Sequence, residues 1–427
     1  MGSKCYDDRI PTQRGHRPMA SPTSTLGFRD VLQTPAVKRL WIAQISSIFG
    51  DFLAIFAIFS VVTFQLHGTP TQVSMIMVAF LTPFALISPI AGVFVDKWNL
   101  KATMIGSDLV RGLLVLTLVF VRDLYAIYAI LFVMSVFSSF FVPAQSVAVR
   151  TLAPVGGLLA VNALMSQAVQ SAQIITPSIS GLMVDWLGAN SCFLFDSLSF
   201  FVSAGLVYSL TIRRPTAGPA AAPSSLRASF AEGFQFIFTH SAISFVMIAM
   251  ACGMFAVRCF GALLSVWVRD ILHSDAKLYG LLNSLIGVGM ITGTQTLRRF
   301  AARISPQRLV VYGLAGMGAA VLVTAAFNGL IATGLGMLGL GFFAACNMVT
   351  SQTLLQQETP QAMLGRVTSS LMSLLAVSQV LAMLFAGPVA QSAGIRNLYF
   401  VSAVMLIGIA GFGLTWLRRP QSTAAAA

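Results

Sequence analysis

Twelve apolar stretches of 20 residues or more fill this chain, and most of its charged residues lie in the gaps between them and in the tails. The stretches run over 39–66, 71–95, 102–121, 124–149, 158–187, 191–212, 241–268, 278–297, 307–327, 329–354, 364–389 and 396–417. A helix needs roughly 20 apolar residues to cross about 30 Å of hydrocarbon. Because lipid offers no hydrogen bonds, only a helix or a closed barrel can cross it with its backbone satisfied. The pattern therefore predicts an all-α polytopic membrane protein with 12 transmembrane helices. Charged residues make up 9% of the chain, against about 25% in a soluble domain, so water is not its main solvent.

The net charge of +13 raises the question of nucleic acid, and the placement of the basic residues answers it. Lys38 and Arg39, Lys97 and Lys101, Arg150, Arg213 and Arg214, Arg298 to Arg308, Arg366, and Arg418 with Arg419 occupy alternate gaps. The other gaps hold only Arg122, Arg269, Lys277 and Arg396. This positive-inside asymmetry predicts that the N and C termini are both cytoplasmic and excludes a basic nucleic-acid domain. Five scattered cysteines lack metal-type or redox spacing and are expected to be packing residues. The first residues hold no apolar core of signal-peptide length, and Tyr6 breaks the myristoylation pattern that begins at Gly2.

The longest polar break, RRPTAGPAAAPSSLR from Arg213, is a flexible linker. It divides the chain into a cytoplasmic, disordered N-terminal tail (1–36), a six-helix half (37–212), a cytoplasmic linker (213–229), a second six-helix half (230–418) and a cytoplasmic tail (419–427). The halves resemble each other. The lead-in from Phe28 lies beside that from Phe230, FVPAQSVAVRTLAP from Phe141 beside ACNMVTSQTLLQQETP from Ala345, and Pro177 and Pro388 fall in matching spans. Offsets near 200 to 210 residues read as a parallel repeat of six plus six.

Ionisable groups deep in hydrocarbon cost about 2.5 to 3.5 kcal/mol on insertion scales and are functional candidates by default. Asp51 lies about 18 Å along the first helix from Arg39, near mid-membrane, with Gln44 and Ser47 on its face. Arg258 lies at a comparable depth in the seventh helix, in register with Asp51 under the repeat. Together they are the expected proton and substrate coupling groups of a central cavity; a permanent ion pair or a polar packing contact is the alternative. Asp108, with Arg111 at i+3, reads as a local ion pair, and Asp196 near the outer end of the sixth helix stays open. In helix five, Asn162, Ser166, Gln170 and Gln173 form one polar stripe that lines a wet pathway or joins helices. Pro177, with Gly181 beyond it, is the expected hinge of that helix. The four His residues lie outside the membrane centre, and the sequence holds no metal-ligand set, nucleophile elbow or phosphate loop.

The loop after the second span reads GVFVDKWNLKATMIGSDLVRG from Gly92. It resembles the major facilitator superfamily, whose loop between helices two and three has the pattern Gly-x-x-x-Asp-Arg/Lys-x-Gly-Arg-Arg/Lys. Gly92, Asp96, Lys97 and Lys101 fit it, while Asn99 and Leu100 depart from it. The resemblance implies the major facilitator fold and a gating role for this loop; a plain positive-inside loop is the other reading. FRDVLQTPAVKRLWIAQISSIFGD, DLVRG, FFVPAQSVAVRTLAP and QETPQAMLGRV are similar to the branch of drug and siderophore exporters that includes macrolide-efflux proteins and the enterobactin exporter.

That branch implies proton-coupled export of an amphipathic small molecule by a monomer in a bacterial inner membrane, with no cofactor, metal, nucleotide or nucleic acid. Two departures weaken antiport: helix five reads Thr176-Pro177-Ser178-Ile179-Ser180-Gly181 where the family has a Gly-Pro-x-x-Gly-Gly type signature, and helix four lacks its intramembrane Arg. A lysophospholipid flippase of the same fold is the alternative. A membrane-embedded enzyme or a receptor would need a nucleophile and base, a metal set or a soluble output domain, and the sequence displays none of these.

Overall fold

The computed structural model describes residues 26–95, 97–212, 241–300 and 304–417. Among them twelve helices of 18 residues or more follow one another. They are α1 (Pro35–Ser60), α2 (Pro70–Val95), α3 (Leu100–Thr117), α4 (Leu124–Leu152), α5 (Leu158–Leu187), α6 (Ala189–Tyr208), α7 (Ser241–Asp270), α8 (Ala276–Phe300), α9 (Pro306–Ala326), α10 (Leu330–Glu358), α11 (Gln361–Ala393) and α12 (Ile395–Leu417). A five-residue helix, Phe28–Leu32, precedes them and packs against α1 and α5, with Val31 buried. Residues 28–32 are thus helical where the sequence reading expects a disordered tail to 36. The linker expected at 213–229 and residues 1–25 of the tail lie outside the described residues.

Ten of the helices are long and apolar enough to cross a membrane. The two others are α3 and α8. The first carries Lys101, Asp108 and Arg111 within its 18 residues; α8 is the least apolar long helix, with Lys277, Gln295 and Arg299 among many small residues.

Local chemistry starts and stops these helices. Pro35 and Pro306 occupy first-turn positions that need no N–H donor. Asn99 and Asp123 cap α3 and α4 by accepting from Ala102 N at 3.1 Å and Ala126 N at 2.9 Å. The departure at Asn99 from the family loop pattern thus has a local use. His67 and His273, after α1 and α7, both have positive φ (50° and 48°), and so do Gly188 and Gly394 (79° and 88°) in the tight turns α5–α6 and α11–α12. Each pair is separated by 206 residues, 67 to 273 and 188 to 394, so the repeat extends to backbone conformation.

Helices α1 to α6 pack on one another, as do α7 to α12, and the two sets meet along α5–α8 and α2–α11. The meeting points lie toward one end, where α1 stops and α2 begins, called the far end below; the near end is where α1 starts. Thr63 donates to Ser265 at 2.8 Å, Thr71 to Gln391 at 2.5 Å and Ser178 to Ser284 at 2.8 Å. Arg269 donates to the carbonyls of Thr63 and Gly68 at 2.8 and 2.9 Å. The Thr63 carbonyl is available because α1 widens into a π-helical turn, Val61–Gln65, and Gly68 N bonds to Val62 O instead.

Gly181 and Gly280 let α5 and α8 cross at backbone distance: a Cβ on Gly181 would lie 2.9 Å from Ala276 O, and one on Gly280 would overlap Pro177 O. Gly280→Leu is expected to force the helices apart and to cost about 1–3 kcal/mol as an overpacked contact. The readout is a lower thermal midpoint in detergent; an unchanged midpoint would contradict so close a crossing.

Candidate functional site

The interior of the first six helices holds a cluster of charges. Arg111, 4% exposed, comes from α3 and is held between the rings of Phe141 and Phe200, 4.5 and 4.4 Å from their centroids. Stacking a guanidinium on two aromatic faces restricts it to one plane. Within that plane Arg111 forms an ion pair with Asp108, one turn earlier on the same helix, and also donates to Ser107 O at 3.3 Å. Asp108 is wholly buried, and its second oxygen accepts from Ser203 of α6 at 2.7 Å. The Asp108–Arg111 pair expected from their spacing is therefore present and closed.

Asp51 of α1 stands 3.9 Å from the same guanidinium, with a side chain 35% exposed. The sequence reading pairs Asp51 with Arg258, and the structure brings it to Arg111 instead. Arg258 is partly exposed on α7, and among the described residues it makes no hydrogen bond or ion pair; its buried Nε lacks a partner. The two residues remain within one position of equivalence under the 206-residue repeat. Both lie on the near side of the Thr63–Ser265 bond, about 18 Å from it along α1 for Asp51 and about 10 Å along α7 for Arg258.

Asp196 of α6 is wholly buried. The sequence places it near the outer end of its helix, but it packs against Gly50, the residue before Asp51, where a Cβ would overlap its carboxylate. Gly50 brings α1 and α6 together at this level.

Gln44 and Ser47 do not join an open face. They are 7% and 1% exposed, so the face they share with Asp51 at 3.6 residues per turn is covered at their level and opens only at Asp51 itself. The stripe on α5 behaves otherwise: Asn162, Ser166, Gln170 and Gln173 are all exposed. These residues prolong, toward the near end, the face whose Ile174, Pro177 and Gly181 pack on α8. On α8 the continuation of Ser284 is likewise exposed at Val288, Ile291, Gln295 and Arg299. The two halves are in contact at the far end and diverge toward the near end. At the near end a cavity of about 270 Å³ lies between α4 and α5, lined by Gln145, Ser146, Arg150 and Asn162.

Helix α5 runs unbroken through Pro177, and Gly181 serves its contact with α8. Around the turn from α2 to α3, Gly92 lies in the last turn of α2 with nothing within 4 Å of its Cβ position, Lys97 is exposed between the helices, and Lys101 in the first turn of α3 lies over the Tyr208 ring at 4.8 Å; Asp96 lies outside the described residues. No group of three or more His, Cys, Asp or Glu able to hold a metal occurs among the described residues. Arg269 appears in the sequence only as one of the sparse outer charges, and no spacing signal links it to α1.

The chain matches the family model for the Major Facilitator Superfamily over residues 40–377 and 246–427. It is 27% identical over 386 residues to the uncharacterised MFS-type transporter YfiS of Bacillus subtilis, covering 87% of this chain and 91% of that one. It is 22% identical over 390 residues to macrolide efflux protein A of Streptococcus pyogenes, covering 87% and 93%. Among solved structures, the nucleoside transporter NupG superposes with a TM-score of 0.73 at 10% identity, covering 90% and 99%. A bacterial homologue of the lysosomal transporter Spinster, inward-facing and unoccupied, gives 0.69 at 11% identity, covering 89% and 97%.

Removing Arg111 leaves Asp108 buried without its cation. Arg111→Gln is expected to cost about 3–5 kcal/mol, and adding Asp108→Asn should recover most of it. Thermal unfolding of the two variants measures the difference; equal losses would show that the pair is not coupled.

Proposed function

Because the chain belongs to the Major Facilitator Superfamily, a family of membrane transporters, we propose that it exports an amphipathic small molecule, a macrolide-like drug or a siderophore, by proton antiport. The observation that carries this reading is the one-ended contact of the halves, with an acid and a polar stripe on the diverging side. A pathway open to one end at a time is what alternating access requires. All twelve helices cross the membrane in this reading. The charges that set α3 apart are neutralised by the Asp108–Arg111 pair, which lowers the cost of burying it. The alternation of basic gaps supports a cytoplasmic position for both termini, and with them for the near end, in a bacterial inner membrane on this reading. The state described is then open inward.

Asp51 is the proton acceptor. It is the acid of the cluster that reaches the diverging side, 3.9 Å from a guanidinium whose ion pair is with Asp108. Exposed Asn162, Ser166, Gln170 and Gln173 contact the polar parts of the substrate, and the apolar walls contact the rest. Lys97, Lys101 and the loop that holds them close the near end in the alternate state. Arg258 supports a second reading, a lysophospholipid flippase, because a guanidinium whose buried Nε has no partner among the described residues suits a phosphate.

One assay separates the two. In everted vesicles with an imposed pH gradient, Asp51→Asn should abolish gradient-driven uptake of a macrolide while leaving the amount of folded protein unchanged. Full gradient-driven uptake in the variant contradicts the role of Asp51. Lysophospholipid movement that ignores the gradient supports the flippase.

A further inference from the structure

Three carboxylates and one guanidinium share the interior of the first six helices, and the bonds between them are unequal. Arg111 is committed to Asp108, whose other oxygen is taken by Ser203. Asp51 keeps the 3.9 Å approach to Arg111 and a side chain 35% exposed. Asp196 has neither. It is 0% exposed, its Oδ2 has no hydrogen-bond partner, and its Oδ1 accepts only a 3.4 Å contact from Ser199. Even that hydroxyl bonds better to the Asp196 backbone carbonyl, at 2.8 Å.

The groups facing Asp196 come from every helix packed on α6. Helix α1 brings Asp51 beside Gly50, and α3 brings Asp108 and Arg111, already joined. Helix α5 brings Ser180, which bonds to Cys192 and to Leu53 O rather than supplying a charge. An ionised Asp196 would be a bare charge in a dry interior, the costliest arrangement of all. A neutral carboxylic acid there forfeits one hydrogen bond. An ionised Asp51 has both a cation and access to water.

We propose that Asp196 is the occluded half of a two-carboxylate proton site: one proton is shared between Asp51, which meets the open side, and Asp196, which does not, and Asp196 holds it in the state described here. Loading takes two steps. A proton from the open side bonds to a carboxylate oxygen of Asp51. It then passes to Asp196, the O–H bond at Asp51 breaking as the one at Asp196 forms, so the negative charge returns to Asp51 beside Arg111. No electrons are transferred. A proton on Asp196 is out of contact with the open side, which gives the transporter a place to keep it while the halves rock. The use of this proton in export rests on the antiport reading; its position does not.

Infrared spectroscopy of the purified protein in lipid tests the site. At neutral pH the wild type should show the carbonyl band of a buried protonated carboxylic acid, and Asp196→Asn should remove it. On transfer to D2O the band should shift as its proton exchanges, and Asp51→Asn should slow that exchange at least tenfold by removing the relay. Should Asp196→Asn not fold, Asp196→Glu should keep a band at a displaced frequency. No such band in the wild type, a band unchanged in the Asp196 variants, or an exchange rate indifferent to Asp51→Asn would each overturn the proposal. If the spectra behave as expected while vesicle uptake ignores the pH gradient, the proton site stands and the antiport reading fails.

Discussion

A guanidinium with three carboxylates around it organises the first half of this protein. Arg111 belongs to α3, yet its neighbours come from four helices: Asp51 on α1, Asp108 on α3 itself, Ser138 and Phe141 on α4, and Phe200 on α6. In a medium without water each of those charges has to be matched or neutralised, and a single cation cannot match three acids. The ring stack fixes Arg111, Arg111 fixes Asp108, and what remains is divided between Asp51 and Asp196 by exposure alone. Among the described residues the second half has no equivalent network. Its interior cation, Arg258, is left without a partner among the described residues.

The closed end depends on different physics. Small residues let α5 and α8 cross with backbone against backbone, and a few hydroxyl and amide bonds complete the contact. Such contacts are each worth about 1 kcal/mol, enough to hold a state and few enough to exchange for another set. Arg269 adds a firmer bond by using a carbonyl that the π-helical turn of α1 releases from the regular ladder. The repeat enters here too, since the turns that end α1 and α7 share the same left-handed histidine.

The long helices and the repeat could be read from the sequence, because apolar length and alternating charge are properties of each segment by itself. The Asp108–Arg111 pair was legible for the same reason, being three residues apart on one helix. Residue periodicity also found the exposed stripe of α5. It placed Gln44 and Ser47 on the face of Asp51, but periodicity does not say how far along a face its cover reaches, and both are buried where Asp51 is not. Matching depth under the repeat suggested Arg258 as the partner of Asp51; helix packing within the first half offered Arg111 instead. Asp196 and Arg269 could not be assigned, because their surroundings are made by contacts across 146 to 206 residues that no local pattern encodes.

On the proposed function the protein closes one end at a time, and the carboxylate of Asp51 decides which. Distances between spin labels measure this directly by double electron–electron resonance, with one pair replacing Ser166 and Gln295 at the diverging end and another replacing Thr71 and Gln391 at the joined end. Across a pH titration the two distances should change in opposite senses, and Asp51→Asn should abolish the change. Distances that stay fixed, that move in the same sense, or that respond to pH equally well in Asp51→Asn would contradict it.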